Sequence, residues 1–230
     1  MNFENFILSD ADFVYLSDID PTIKQSVRYA TSENFTGQKV DGYNAEKIII
    51  KREAALRLKK VQEYFQTKNY TLVIYDAYRP QRAIQNYITW AENSDISTKE
   101  HYYPTLDKSV LFEKGYICKT SNHCKGYTAD LTIMDLNSSL HAIKISTRIL
   151  KNSEKISFLD DGTLDMGTSL DCFHEASHHG SDLISNKAKI NRKLLEDTMD
   201  KFGFTTIESE WWHYTLKGTE NSEDYDFPID

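Results

Sequence analysis

The sequence predicts an α+β domain, a mostly antiparallel central sheet flanked by helices. Three observations carry this. Long stretches repeat apolar residues at helical spacing. Short apolar or alternating runs lie between them. The chain closes on two such runs separated by a tight polar turn. Its 230 residues suit one domain spanning 1–230. A core of that size needs no disulfide staples.

Residues 45–67 read as the first long helix, with Ile50, Ala54, Leu58, Val61 and Phe65 on one face between Lys, Arg and Glu. Asn69 and Tyr70 end it. Leu72 to Tyr75 is a buried strand that delivers Asp76-Ala77-Tyr78-Arg79-Pro80. Pro80 can occupy the first turn of a new helix, whose face is Ile84, Ile88 and Ala91. From Gly126 to Met134, Ala129, Leu131 and Ile133 alternate with Thr128, Asp130 and Thr132, the pattern of a half-buried strand. Residues 137–163 are polar and rich in Lys, Ser and Asp, and read as an insertion into the domain. Lys187 to Phe202 is a further helix with Ile190, Leu194 and Phe202 inward and Gly203 as its stop. Phe204 to Ile207 and Trp211 to Leu216 form the closing hairpin.

A net charge of −8 argues against nucleic acid and anionic membrane surfaces, both of which select basic patches. No run of about 18 apolar residues is present, so no membrane-spanning helix is expected. Met1 to Phe13 carries Glu4, Asp10 and Asp12 without a basic or apolar leader region, and does not read as a signal peptide. The expectation is a cytoplasmic protein; a processed periplasmic one stays open. The three cysteines, Cys118, Cys124 and Cys172, are odd in number and lack a C-x-x-C spacing, which favours free thiols in a reducing compartment over one bridge with a spare thiol. Oligomeric state is not legible, and a homo-oligomer stays open.

Two motifs carry chemistry. In Ser121-Asn122-His123-Cys124-Lys125-Gly126-Tyr127-Thr128-Ala129-Asp130, a loop His precedes a strand Asp by seven residues. An imidazole nitrogen and a carboxylate oxygen are both zinc donors. Taken alone, the pair reads equally as a loop cap and a paired strand carboxylate. In Glu210-Trp211-Trp212-His213, a Glu and a His lie among aromatics that exclude water. Residues three apart on a regular strand face opposite sides. Glu210 is therefore expected in the turn before the strand, a bulge being the other solution. His123, Asp130 and His213 together give three metal ligands with a fourth position open, as a catalytic zinc requires. Arg79, at the end of a buried strand, is the candidate for stabilising an oxyanion.

With these motifs in view, the chain resembles the VanX-type zinc D-alanyl-D-alanine dipeptidases, a group shared with D,D-carboxypeptidases. Further ordered matches extend the resemblance over nearly the whole chain: Tyr29-Ala30-Thr31, Asn34-Phe35-Thr36-Gly37, Gly42-Tyr43, Met166-Gly167-Thr168 with Asp171, Ser177-His178-His179 and Asp226-Phe227-Pro228. One departure is local: Ala129 and Asp130 are adjacent where the family has one residue between them, although the His-to-Asp spacing is kept. Another is the stretch from Asp130 to Asp171, about twenty residues longer than the family's.

The resemblance implies one zinc ion per chain on His123, Asp130 and His213, with Glu210 as general base and later acid and Arg79 on the oxyanion. It implies that Asp171 binds the substrate's ammonium with Tyr29 and Tyr43 nearby, and that Ser121 lies at the carboxylate end. The implied reaction is hydrolysis of the D-Ala-D-Ala dipeptide to two D-alanines, as in glycopeptide (vancomycin) resistance or D-alanine recovery from cell-wall precursors. The alternatives are a D,D-carboxypeptidase acting on longer peptidoglycan precursors and an inactive metal-dependent binding module. Cys124 reads as a bystander to the metal. His174, His178 and His179 form a rival cluster that could support the ligands.

Overall fold

The computed structural model describes residues 12–230. Almost all of the segment read as lacking a signal peptide lies outside them. Among the described residues no helix is long and apolar enough to cross a membrane.

In chain order the elements are β1 (Phe13–Tyr15), α1 (Leu16–Ile19), β2 (Lys24–Gln25), β3 (Ile49–Lys51), α2 (Arg52–Gln66), β4 (Tyr70–Asp76), α3 (Gln81–Glu92), α4 (Lys99–Tyr102), β5 (Thr128–Asp135), β6 (Lys144–Ile149), β7 (Lys155–Asp160), α5 (Asn186–Lys201), β8 (Phe204–Ile207) and β9 (Glu210–Leu216). The central sheet has the order β2-β4-β5-β9-β8. Its β2–β4 pairing is parallel, and the β4–β5, β5–β9 and β8–β9 pairings are antiparallel. The expected α+β class and the mostly antiparallel sheet are both present.

The first helix begins seven residues later than its periodicity suggested. Ile48-Ile49-Ile50 is a β-branched run, and Ile49 to Lys51 pairs with Phe13 to Tyr15 as a small antiparallel sheet. From Arg52 onward the predicted face holds, with Ala54, Leu58, Val61 and Phe65 fully buried. Pro80 takes the extended capping position, and α3 starts at Gln81.

Two burial expectations fail, for related reasons. Strand β5 is buried on both faces, including Thr128, Asp130 and Thr132. One face meets the main core. The other, with Val73, Tyr75 and Met134, lies under Leu140 and Leu170. On α5, Ile190 is 64% exposed while Asn191 and Arg192 are buried. Those two polar residues serve the neighbouring loop. Asn191 donates to the Asp165 carbonyl at 2.8 Å, and Arg192 donates to the Met166, Ala176 and His178 carbonyls. Buried polar groups are tolerated when their hydrogen bonds are made, and apolar periodicity cannot announce them.

Within residues 137–163, β6 and β7 pair as a hairpin of their own. Its return is tied down by Asp161, which accepts from Tyr75 Oη at 2.7 Å and pairs with the buried Arg28. All three cysteines are free.

Candidate metal centre and active-site cavity

The centre is assembled by sheet register. On β5 and β9, Asp130 lies directly opposite His213. On β4, the register shifts between Ile74 and Asp76, so that Asp76 faces Asp130. A regular ladder would have set Tyr75 there. Three adjacent strands thus carry Asp76, Asp130 and His213 in one row.

His123 reaches the row from the 3-10 turn Asn122–Lys125. Ser121 caps that turn, its Oγ accepting the His123 N–H at 3.3 Å. Gly126 closes it at φ +77°, where an added Cβ would stand 2.2 Å from the Phe13 ring. Only glycine meets both demands. His123 Nδ1 donates to the Ala77 carbonyl at 2.7 Å, which turns the Nε2 lone pair inward. Nε2 stands 3.2 Å from Asp130 Oδ2 and 3.3 Å from His213 Nδ1, and His213 Nδ1 is 3.3 Å from Asp130 Oδ1.

The fit to a metal rests on this geometry. His123, Asp130 and His213 are buried, and one ligand atom from each lies within 4.8 Å of the others. Asp130 Oδ1 makes no hydrogen bond among the described residues, close though His213 is. A buried carboxylate oxygen facing two imidazole nitrogens is a donor set suited to a divalent cation. Burial opposes ionisation of Asp130, yet the two histidines outweigh it and hold its carboxyl far below the usual range.

Glu210 does not sit in the turn ahead of the strand, as expected. It is the first residue of β9, paired with Ile207, and the register then shifts so that Thr206 pairs with Tyr214. Trp211, Trp212 and His213 are the extra residues on β9. A bulge, the other solution to the spacing problem, brings Glu210 Oε2 to 3.6 Å from His213 Nδ1. Burial first, and then the negative charge of Asp130, push the Glu210 carboxyl up to about 8.

Arg79 is clamped from several sides. Its Nε donates to Asp76 Oδ2 at 2.9 Å, and its guanidinium reaches Asp130 Oδ2 at 3.3 Å. The rings of Tyr29 and Tyr87 lie 5.0 and 5.4 Å from its Cζ. Burial alone would favour discharge of Arg79, but Tyr87, Asp76 and Tyr29 keep it firmly charged.

These groups line a cavity of about 200 Å³, whose walls also include Phe35, Tyr87, Tyr116, Ser121, Phe173 and Trp212. Asp171 also lines it, in a left-handed conformation at φ +56°. Tyr29 Oη donates to Asp171 Oδ2 at 2.9 Å. Burial, reinforced by Asp130, pushes the Asp171 carboxyl well above the ordinary range. Such a group gains from an incoming cation.

The structure brings together every sequence-predicted residue except Tyr43 at the cavity wall. Tyr43 lies one layer behind, donating to Asp76 Oδ1 at 2.8 Å and so holding the acid that holds Arg79. His174 and His178 turn elsewhere, to Glu154 and to the Tyr116 hydroxyl. The carbonyl of Ala77 supports His123 in their place. Cys124 is buried behind the turn, and its thiol is pushed up by burial to about 11, which keeps it protonated and away from metal chemistry. Two residues around the site received no role from the sequence. Asp76 lay inside a quoted motif without a role. Tyr87 shares a helical face with Ile84 and Ile88 and reads as core.

Comparison with known proteins is consistent with this geometry. A family model described as D-ala-D-ala dipeptidase matches residues 9–143 and 152–229. A D-alanyl-D-alanine dipeptidase of Enterococcus faecium is 34% identical over 220 residues, covering 94% of this chain and 98% of the relative. One from Enterococcus faecalis is 34% identical over 205 residues, covering 89% and 91%. One from Streptomyces coelicolor is 32% identical over 220 residues, covering 95% and 98%. The chain belongs to the D-ala-D-ala dipeptidase family of peptidases.

Proposed function

We propose that this chain hydrolyses the D-Ala-D-Ala dipeptide to two D-alanines, using one zinc ion held by His123, Asp130 and His213. The observation that carries the reading is the cavity itself. It is lined by the ligand cluster, Glu210 and Arg79 together with a buried carboxyl, Asp171, suited to an ammonium. Two recognition points in one small cavity suit a substrate with a free amino group next to the scissile bond.

Zinc, when bound, supplies Lewis acidity for the attacking water and the carbonyl. Glu210 takes the water's proton and later gives it to the departing amine nitrogen. Its high pKa belongs to a site whose strongest neighbouring charge is Asp130. With a divalent cation held by His123, Asp130 and His213, the Asp130 charge would be offset and the Glu210 carboxyl would move back toward the ionised form that a base needs. Arg79 is already fixed by Asp76 and donates to the oxygen that gains negative charge, without reorganisation. Asp171 with Tyr29 receives the ammonium. An N-blocked peptide would leave that carboxyl buried without its partner, which disfavours it. Ser121, at the cavity wall beside His123, is assigned to the carboxylate end.

The implied partner is a small D,D-dipeptide, and the cellular consequence is depletion of a peptidoglycan building block. Residues 137–163 are read as an insertion that covers the sheet without opening the cavity. The test is D-alanine release from D-Ala-D-Ala and, in parallel, from a pentapeptide ending in D-Ala-D-Ala. The dipeptide alone should be cleaved. Preference for the pentapeptide would favour a D,D-carboxypeptidase, and release from neither would favour a binding module.

A further inference from the structure

We propose that Tyr87 is a further substrate-binding residue, its hydroxyl oxygen accepting a hydrogen bond from the ammonium of the dipeptide alongside Asp171. Tyr87 is 2% exposed, sits on α3 and lines the cavity. Its hydroxyl makes no hydrogen bond among the described residues. An unpaired buried hydroxyl carries a desolvation cost, which a core position would have relieved with phenylalanine. Its surroundings say what the partner is. The ring packs 5.5 Å from that of Tyr29 and 5.4 Å from the Arg79 guanidinium carbon. After burial, the charged groups acting most on its phenol are Arg79, Asp76 and Asp171, and the Tyr29 hydroxyl lies beside it.

Tyr87 thus lines the same cavity as Arg79 and Asp171, its ring packed against the Arg79 guanidinium and against the Tyr29 that bonds Asp171. No hydrogen-bond partner of the phenol oxygen is found among the described residues, so its acceptor capacity is open to a ligand. An alkylammonium brings three N–H donors. Asp171 already accepts from Tyr29 at Oδ2, so its carboxylate does not satisfy all three with ease. The phenol oxygen of Tyr87 is the nearby group able to take another. Burial keeps the phenol protonated, so it remains a neutral acceptor that does not compete with Asp171 for charge.

This inference rests on the dipeptidase reading. The test is Tyr87→Phe, which keeps the ring, the packing on Arg79 and the shape of the cavity. With D-Ala-D-Ala the variant should raise KM about five- to tenfold, with kcat changed less than twofold. The inhibition constant of N-propionyl-D-alanine, which has the same outline without the ammonium, should be equal in the two proteins. The metal-free variant should melt close to the wild-type temperature, because the phenol makes no close intramolecular hydrogen bond among the described residues. An unchanged KM, an equal loss for the ammonium-free compound, or a clearly lower melting temperature would each overturn the assignment. A wild-type chain inactive on D-Ala-D-Ala would bring down the dipeptidase reading, and this inference with it. An active wild type with an indifferent variant would bring down only the inference.

Discussion

The two ends of the cavity are built by different means. At the metal end, Asp130 and His213 are direct neighbours across β5 and β9, and the bulge in β4 sets Asp76 in the same row. On the side proposed for the ammonium, Asp171 comes from a loop, Tyr29 from the 3-10 turn Arg28–Ala30 and Tyr87 from a helix. The first end inherits its precision from backbone hydrogen bonds, which fix positions to fractions of an ångström. The second depends on side-chain tethers between distant segments, such as the Tyr29–Asp171 bond spanning 142 residues. Catalytic geometry tolerates little displacement, so in the proposed reading the chemistry falls where the sheet and its flanking turn fix positions, and recognition falls where side-chain tethers do.

That division is broken most severely at the metal end. His123→Ala removes one of three donors and should abolish stoichiometric zinc binding, with turnover falling roughly a thousandfold or more. Metal analysis alongside D-alanine release reads both. Normal metal content in this variant would mean that the centre lies elsewhere. At the loop end, Asp171→Asn should leave metal content intact and lower kcat/KM by about ten- to a hundredfold, mostly through KM. Asparagine tolerates the left-handed backbone at this position, so folding should be spared. Loss of metal in this variant would show that the two ends are not separable.

How much of this was legible follows the same line. His123 and Asp130 are seven residues apart, and Glu210 and His213 three, so short patterns announced the metal end. The bulge that lets Glu210 share a site with His213 was legible only as one of two solutions, because spacing states the problem without the pairing that solves it. At helix α5, Leu194 and the capping Phe202 pack on the core as read, but Ile190 faces out. The helix's buried Arg192 makes hydrogen bonds to loop carbonyls, a job that apolar periodicity does not record. Asp171 and Tyr29 were reached only by resemblance, since nothing local brings residue 29 to residue 171. Tyr87 was missed because a tyrosine at core spacing looks like core.

Two smaller effects test the seam between the ends. His179 packs beside the β8–β9 turn, its backbone N–H donating to the Glu208 carbonyl at 2.9 Å. Burial, with Arg192 nearby, pushes its imidazole down to about 4. In the unfolded chain a histidine titrates near 6.5. The stability that this neutral ring permits is therefore complete above about pH 6.5 and is lost as pH falls toward 4. Melting of the metal-free chain between pH 7.5 and 4.5 should show about 2 kcal/mol of this loss, and His179→Gln should flatten it. An unchanged acid slope in the variant would assign the loss to other groups. Smallest of all, Trp211 Nε1 donates to Thr168 Oγ1 at 2.9 Å, joining β9 to the loop that leads to Asp171. Trp211→Phe should cost about 1 kcal/mol in urea unfolding and raise KM slightly with metal content unchanged.

The central claim is that a centre built by sheet register makes hydrolysis of the D,D-dipeptide depend on metal. The direct measurement is a titration. The chain is stripped with a chelator, zinc is returned in steps, and D-Ala-D-Ala turnover is followed against bound metal. Activity should be absent from the stripped chain and rise linearly to a plateau at one zinc per chain. Full turnover by the stripped chain, or a rise that does not end at one zinc per chain, would contradict it.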